Sequence, residues 1–334
     1  MIVLGIESSC DDTAAAIIKD DLILSSIVSS QHDIHQRFGG IVPELASRDH
    51  VAKISTVVTQ ALSTAGVTLD QVDLIAATQG PGLIGSLLVG FSFAKSLAYR
   101  ATKPFVGVDH MSGHILSAFL EPSVPRFPYV ALIVSGGTTS LFLVNGFLDY
   151  QLVGRTRDDA AGEAFDKTAR ILKLGYPGGP IISKLAQDAS DLGCKFPRAW
   201  LEEDSLDFSF SGLKTAVSNY VDQVKLSDQE TELKAICKEF QEAVVEVLVT
   251  KAIRAAEKYK TENIVLGGGV AANDCLREAM ITAAKSDTYK TFVPAKKNCT
   301  DNGAMIALAG LKKFEAGLHS AVSEDVFPRS RLGN

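Results

Sequence analysis

Val108-Asp109-His110-Met111-Ser112-Gly113-His114-Ile115 stands between two stretches that read alike. Before it, residues 1–18 run from the apolar Ile2-Val3-Leu4-Gly5-Ile6 through a polar, small-residue turn, Glu7-Ser8-Ser9-Cys10-Asp11-Asp12-Thr13, into a second apolar run. After it, residues 129–144 repeat the order: Val130-Ala131-Leu132-Ile133-Val134, then Ser135-Gly136-Gly137-Thr138-Thr139-Ser140, then Leu141-Phe142-Leu143-Val144. Two strand–turn–strand units of one plan predict two similar α/β lobes with a cleft between them, and they put the histidines at the joint. On a helix, residues four apart share a face, so both imidazoles can address one ion. An i,i+4 histidine pair is by itself more often incidental than ligating; its place at a joint puts the two readings on an equal footing.

The composition bounds the rest. At 334 residues, two domains are expected. With 46% hydrophobic and 22% charged residues the chain has an ordinary globular make-up. No apolar run approaches the roughly 20 residues that cross a bilayer, which excludes a helical membrane protein. No basic leader precedes an apolar segment at the start. Cys10, Cys194, Cys237, Cys275 and Cys299 are odd in number and never in C-x-x-C spacing, which argues against a disulfide framework or zinc ribbon and for a cytoplasmic location. A net charge of -6 argues against gripping nucleic acid with the whole surface.

Along the chain, strands are predicted over residues 2–5, 14–18 and 22–29, followed by a polar loop with His32 and His35 and a helix opened by Pro43 and reaching residue 65. A buried strand over 72–77, a helix over 83–98 and a strand over 105–108 complete the first lobe. The second lobe has strands near 130–134, 140–144 and 150–155 and helices near 160–172 and 180–192. An aromatic, irregular insert follows over 196–212, then a long helix over 228–258, a strand over 263–266, a helix from Asn273 and a last helix over 301–316. The boundaries expected are residues 1–108 for the first lobe, with part of the last helix and tail. Residues 109–316 form the second lobe, carrying the substrate and metal sites, and 317–334 the C-terminal tail, of which the polar residues 327–331 are expected to be mobile.

Several motifs carry possible chemistry. Gly80-Pro81-Gly82-Leu83-Ile84-Gly85 matches a dinucleotide fingerprint between a strand and a helix. Pro81 removes a backbone donor where a pyrophosphate needs one, so glycines for close packing are the better reading. Ser135-Gly136-Gly137 and Gly267-Gly268-Gly269 end buried strands and let backbone amides approach an anion; Asn273 is placed to cap the helix after the second. Asp158 and Asp159 read as helix caps, whereas Asp166 lies too far along the helix for capping and is free for a ligand hydroxyl or for Arg170 four residues on. Pro177-Gly178-Gly179-Pro180 is a tight turn that can bring backbone close to a ligand. Glu7, Asp11 and Asp12 crowd one turn, which is costly unless cations or donors relieve it. His110 and His114 need a further ligand; Asp301 in Cys299-Thr300-Asp301-Asn302-Gly303 is the candidate, with helix capping as its ordinary alternative. A His₂-carboxylate set suits iron, manganese or zinc.

Taken together, the stretches GIESSCDDTA, FGGIVPELASRDHV, QGPGLIGSLLVG, VDHMSGHI, IVSGGTT, DDAAGEAFDK, GYPGGP, FSFSGLKTA, GGGVAAND and CTDNGAMIA resemble, in one order over nearly the whole chain, the bacterial branch of the universal tRNA threonylcarbamoyladenosine transferase family. That resemblance implies the two-lobed fold of actin, Hsp70 ATPase domains and sugar kinases. It implies one divalent metal ion per chain, iron favoured and zinc possible, on His110, His114 and Asp301. Ile133, Val134, Ser135, Gly136, Gly137, Asp166, Gly179 and Asn273 would hold threonylcarbamoyl-AMP, and Asp11 is the candidate acceptor for the amine proton. Thr138 and Ser183 depart from the family pattern, where His or Asn and an acidic residue are common. The partners implied are tRNA, a paralogous subunit of the same fold and a small P-loop ATPase, with no membrane. A zinc peptidase is the poorer reading, because Met111 stands where H-E-x-x-H needs its glutamate. A kinase or ATPase of the same fold is the nearer alternative.

Overall fold

Near-continuous apolar runs over residues 2–6 and 14–18 and a more mixed run over 22–30 build a meander in which every second side chain points to the same face. In the computed structural model, which describes residues 1–190, 193–202, 204–223, 229–286 and 289–333, β1 (Ile2–Glu7) pairs antiparallel with β2 (Asp12–Lys19), and β2 with β3 (Leu22–Ser30). A short α1 (His32–Gln36) leads to α2 (Pro43–Ala65), which Pro43 opens and Gly66, in the left-handed region, closes. β4 (Leu74–Gly80), α3 (Ile84–Ala101) and β5 (Phe105–Asp109) follow, giving a sheet of order β3-β2-β1-β4-β5 with β4 and β5 parallel to β1. α4 (His110–Leu116) leaves directly from the end of β5.

The same strand plan recurs downstream. β6 (Tyr129–Val134) pairs antiparallel with β7 (Thr139–Gly146), which neighbours β8 (Asp149–Arg155). Then come α5 (Ala161–Ile171), α6 (Gly178–Gln187), α7 (Ser211–Gln223), α8 (Gln229–Lys258), β9 (Asn263–Gly267), α9 (Asp274–Ser286) and β10 (Lys290–Phe292). The order β10-β9-β6-β7-β8, with β9 parallel to β6 and β10 to β9, mirrors the first sheet. α10 (Lys296–Cys299) and α11 (Gly303–Glu315) end the regular structure. The expected two-fold repetition of an α/β plan is therefore observed.

The chain divides into one unit of Met1–Val124, Gly146–Tyr150 and Pro294–Asn334 and a second of Pro125–Asn145 and Gln151–Val293. This differs from the boundary expected at residue 108. α4, and the whole of α11 with its preceding loop, fall with the first sheet, because α11 packs on β1, β2 and β4 and α4 packs on α11. In the first unit, Leu4, Ile6, Ala15 and Ile17 form a core with Ile54, Val57, Val58 and Ala61 of α2 and Phe91, Ala94 and Ala98 of α3. The opposite face receives α11 through glycines: a Cβ on Gly5 would stand 2.1 Å from the Gly303 carbonyl oxygen, and one on Gly303 would stand 2.5 Å from the Ala16 nitrogen.

Three further differences have physical causes. The tail is packed on the sheet: Ser320 N–H donates to Phe105 O (2.9 Å) and Gly107 N–H to Ser320 Oγ (3.0 Å), which covers the open edge of β5, and Phe327 N–H donates to Gln79 O at the end of β4 (3.0 Å). The aromatic insert of the second unit is ordered around the buried Lys251, whose Nζ donates to Trp200 O at 3.1 Å and to Asp207 O and lies 5.6 Å from the Phe208 ring centre. Its end is helical, because Asp158 accepts from Phe210 N–H (2.8 Å) and Ser211 N–H (3.3 Å) and so caps α7 rather than α5. The α6 helix stops at Gln187; the end expected at Leu192 and the start expected at Asp228 lie outside the described residues.

The glycine contact yields a prediction. Gly5→Ala should lower the stability of the protein by about 3 kcal/mol, the upper part of the range for overpacking, read as a fall in the midpoint of thermal unfolding. An unchanged midpoint would show that α11 does not rest on β1 as described.

Candidate metal centre and nucleotide-binding residues

The first unit gathers the metal candidates. Asp109, ending β5, accepts from Met111 N–H (2.9 Å) and so caps α4, which makes His110 its first residue and His114 the residue one turn on. The rings stand edge to face, 4.7 Å between centres. The capping alternative for Asp301 does not hold: Asn302 caps α11 by accepting from Met305 N–H (2.9 Å), which leaves the Asp301 carboxylate to face the histidines. Its Oδ1 lies 3.1 Å from His114 Nε2 and 3.5 Å from His110 Nε2. One ligand atom from each of the three residues lies within 4.8 Å of the others.

Glu7 completes this arrangement from β1. Its Oε2 accepts from His110 Nδ1–H (2.9 Å) and Thr78 Oγ1–H (2.6 Å), and its Oε1 from Ser9 N–H. A carboxylate on one imidazole nitrogen orients the ring and turns the other nitrogen toward an ion. Burial would raise the Glu7 carboxyl, but His110 outweighs burial and holds it below the ordinary value; Asp301 is lowered in the same way by the two histidines. Burial would depress His110, yet Glu7 and Asp301 push it up to about 9. Two carboxylates that draw a proton so strongly onto one imidazole form a site that demands positive charge. Two imidazoles and a carboxylate fit a divalent iron, manganese or zinc ion.

The neighbouring turn carries Asp11 and Asp12. Its backbone is pinned by buried His50, whose Nε2–H donates to Cys10 O (3.0 Å) while Nδ1 accepts from Thr13 Oγ1–H (2.7 Å). Burial, reinforced by Asp301, raises the Asp11 carboxyl and pushes Asp12 up to about 7. The buried Asp12 Oδ1 has no hydrogen-bond partner among the described residues. The Gly80–Gly85 motif serves this turn and not a dinucleotide: a Cβ on Gly82 would stand 2.4 Å from Ser9 O, and one on Gly80 would stand 2.0 Å from Phe327 O. Sequence reading missed Glu7 as the partner of His110 and His50 as the clamp; a carboxylate at the end of the first strand was the only signal.

The second unit holds the nucleotide candidates. Ile133 and Val134 end β6, and Ser135 closes the turn, its N–H donating to Thr138 O (2.7 Å) and its Oγ accepting from Thr138 N–H (3.1 Å). Gly136 and Gly137 sit exposed at the apex, where an added Cβ would meet nothing within 4 Å; the same openness holds at Gly179. Asp166 accepts from Gly178 N–H (2.7 Å), which ties α5 to the Pro177–Pro180 turn. Asn273 caps α9 through Leu276 N–H (3.0 Å) and donates to Gln241 Oε1 (2.8 Å). Gly268 has φ 87° and a Cβ there would stand 2.4 Å from Val134 O, so this glycine packs β9 against β6, while Gly269 is open.

The comparisons agree with one family. The sequence profile of tRNA N6-adenosine threonylcarbamoyltransferase matches residues 22–308. The protein of that name from Desulfotalea psychrophila is 55% identical over 337 residues, covering 100% of this chain and 98% of its own. Those from Anaeromyxobacter sp. and Moorella thermoacetica are 50% and 51% identical, covering 99% and 93% of this chain and 100% and 92% of their own. Among solved structures, full-length HypF in its phosphate- and nucleotide-bound form superposes with a TM-score of 0.62 at 13% identity, covering 94% of this chain and 46% of that chain. Component A of the Acidaminococcus fermentans (R)-2-hydroxyglutaryl-CoA dehydratase superposes with a TM-score of 0.54 at 16% identity, covering 94% and 98%. These likenesses show the fold alone, the two-lobed α/β class.

Two outcomes follow from the geometry. Glu7→Gln should weaken Zn²⁺ binding, measured by competition with a chromophoric chelator, by about 10–100-fold, as the loss of an outer partner does; unchanged affinity would remove Glu7 from the site. Gly136→Ala should leave thermal unfolding unchanged, whereas Gly268→Ala should lower its midpoint, since only the second introduces a clash and a strained φ. Equal midpoints would contradict this division.

Proposed function

The chain belongs to the tRNA N6-adenosine threonylcarbamoyltransferase family, and on that footing we propose that it transfers the threonylcarbamoyl group of threonylcarbamoyl-AMP to N6 of adenosine 37 in tRNAs that read codons beginning with A, releasing AMP. The observation that carries this reading is the Glu7-oriented His110, His114 and Asp301 set in a chain of that family. A divalent ion on these three residues, iron favoured and zinc possible, would supply Lewis acidity toward an oxygen of the acyl phosphate. Glu7 keeps the His110 Nδ1–H turned to itself, so that Nε2 offers its lone pair. Gly136 and Gly137, at the open apex that Ile133, Val134 and Ser135 hold in place, present backbone donors to the charge that develops at the acyl phosphate. Asp166, Gly179 and Asn273 hold the adenylate by their turns and cap.

The proton follows from the same residues. As the N6–carbon bond forms and the carbon–oxygen bond to AMP breaks, the leaving phosphate takes the electron pair and the amine gives up a proton. We assign that proton to Asp11, whose raised carboxyl is better matched to neutral pH than an ordinary aspartate. Asp12 stands beside it on the same turn and is the alternative acceptor.

The partners read as follows. The net charge of -6 fits a division of labour in which other proteins share the binding of tRNA. The exposed Val51 on α2 and Ile84 and Leu88 on α3 suit docking of a paralogous subunit of the same fold, with a small P-loop ATPase as third component. Among the described residues no helix is long and apolar enough to cross a membrane, and the cytoplasm is the proposed location.

Three measurements test this reading. Depletion of the protein should remove threonylcarbamoyladenosine from cellular tRNA, with wild type restoring it and His110→Ala not; a normal nucleoside profile after depletion would overturn the function. Asp11→Asn should lower kcat by about 10²–10⁴-fold, and a loss confined to Asp12→Asn would move the base to the neighbouring residue. The purified chain alone should not sustain multiple turnovers, so that full activity without partners would refute the assembly.

A further inference from the structure

The segment after α11 ends on the residue that caps the metal-binding helix. Leaving α11, it runs along the edge of β5 through Ser320, and the Lys95 ammonium donates to Val322 O (3.3 Å) and Glu324 O (2.9 Å). Gln79 Nε2–H donates to Glu324 Oε2 (3.1 Å) and Asp325 O (2.9 Å), and Phe327 lies on Gly80, where a Cβ would collide with it. The Arg331 guanidinium covers the Phe327 ring at 4.2 Å. Between these two, Ser330 Oγ–H donates to Asp109 Oδ2 (2.9 Å), and Arg331 N–H approaches the same oxygen at 3.3 Å.

Asp109 thus has both oxygens engaged: Oδ1 receives Met111 N–H from α4, and Oδ2 receives the tail. α4 has seven residues, two turns, and so does not set its own direction by length. Its far side is fixed by α11, since a Cβ on Gly113 would stand 3.0 Å from Met305 Cγ. Its near end leaves β5 through the Asp109 cap, while Glu7 holds the His110 ring from the side. His110 lies between the capping residue and the capped amide, so the Asp109 carboxylate sets the backbone from which the His110 ring projects.

We propose that the C-terminal tail, through Ser330, positions the helix that carries His110 and His114, by holding the Asp109 carboxylate in the plane that caps α4. The inference rests on the reading of His110, His114 and Asp301 as metal ligands. Ser330 is a positioning residue, not a catalytic one. The anchors at Ser320, Lys95, Gln79 and Phe327 keep the rest of the tail in place when Ser330 is changed, which makes the hydroxyl a local probe.

The test uses the full chain and Co²⁺ as the probe, with affinity by competition and geometry by the visible absorption of the bound ion. Ser330→Ala should raise the Co²⁺ dissociation constant about tenfold, the lower end of what loss of an outer partner does, and change the absorption spectrum, with the metal-free protein still unfolding cooperatively. Ser330→Thr, which keeps the hydroxyl, should restore both affinity and spectrum. A chain ending at Phe327 should lose more than Ser330→Ala. Wild-type affinity and spectrum in Ser330→Ala would overturn the role of the tail while leaving the metal reading intact. No Co²⁺ uptake by the wild-type chain would overturn the metal reading, and the inference with it.

Discussion

The first unit depends on a contact between two backbones. Gly5 in the middle of β1 and Gly303 at the start of α11 have no side chains, so the helix rests on the sheet at a distance that any Cβ would forbid. Residues 298 positions apart are brought together by that absence. The loop before α11 then runs beside the ends of β1 and β5, and Asp301 arrives among Glu7, His110 and His114. A larger residue at either glycine would lift the helix, and the carboxylate with it.

Around this contact the charges are arranged so that each is answered. Glu7 is buried but takes three donors, from Ser9, Thr78 and His110. Asp109 is nearly buried and takes three more, from Met111, Ser330 and Arg331. Burying a carboxylate is costly unless it is paired and hydrogen-bonded, and these two meet that condition. The Asp11–Asp12 turn is the exception, with one buried carboxylate oxygen unpartnered among the described residues. His50, neutral and bound on both nitrogens, supports the turn's backbone without adding charge. Carboxylates that are raised rather than quenched are what proton transfer at neutral pH requires.

The second unit is organised differently. Its candidate residues sit on turns that protein groups already close: Ser135 on Thr138, Asp166 on Gly178, Asn273 on Leu276 and Gln241. Side-chain atoms spent on these bonds hold the turns rigid, and the exposed glycine backbone is left to meet a ligand. Such preorganisation lowers the cost of ordering the site when substrate binds. Gly268 belongs to the packing of β9 on β6, and only its neighbour Gly269 is open.

Much was legible from the chain itself. The repeated strand–turn–strand plan, the Pro43 helix and the histidine pair on one helical face follow from local periodicity, which is a property of neighbours in sequence. Asp301 could be nominated from its motif, but its release from capping could not, because that depended on Asn302 taking the cap. The boundary expected at residue 108, with part of the last helix, fell short for a related reason: nothing local says that α4 and the whole of α11 go with the first sheet. The polarity of residues 327–331 suggested a mobile end to the tail, whereas Ser320 answers the open edge of β5 and Phe327 the end of β4. Glu7 meets His110 across 103 positions, His50 meets Cys10 across 40 and Ser330 meets Asp109 across 221, and none of these pairings is written in local periodicity. Sequence determines which groups are available and which face they share; only the closing of β1, β5 and α11 on one another decides which of them meet.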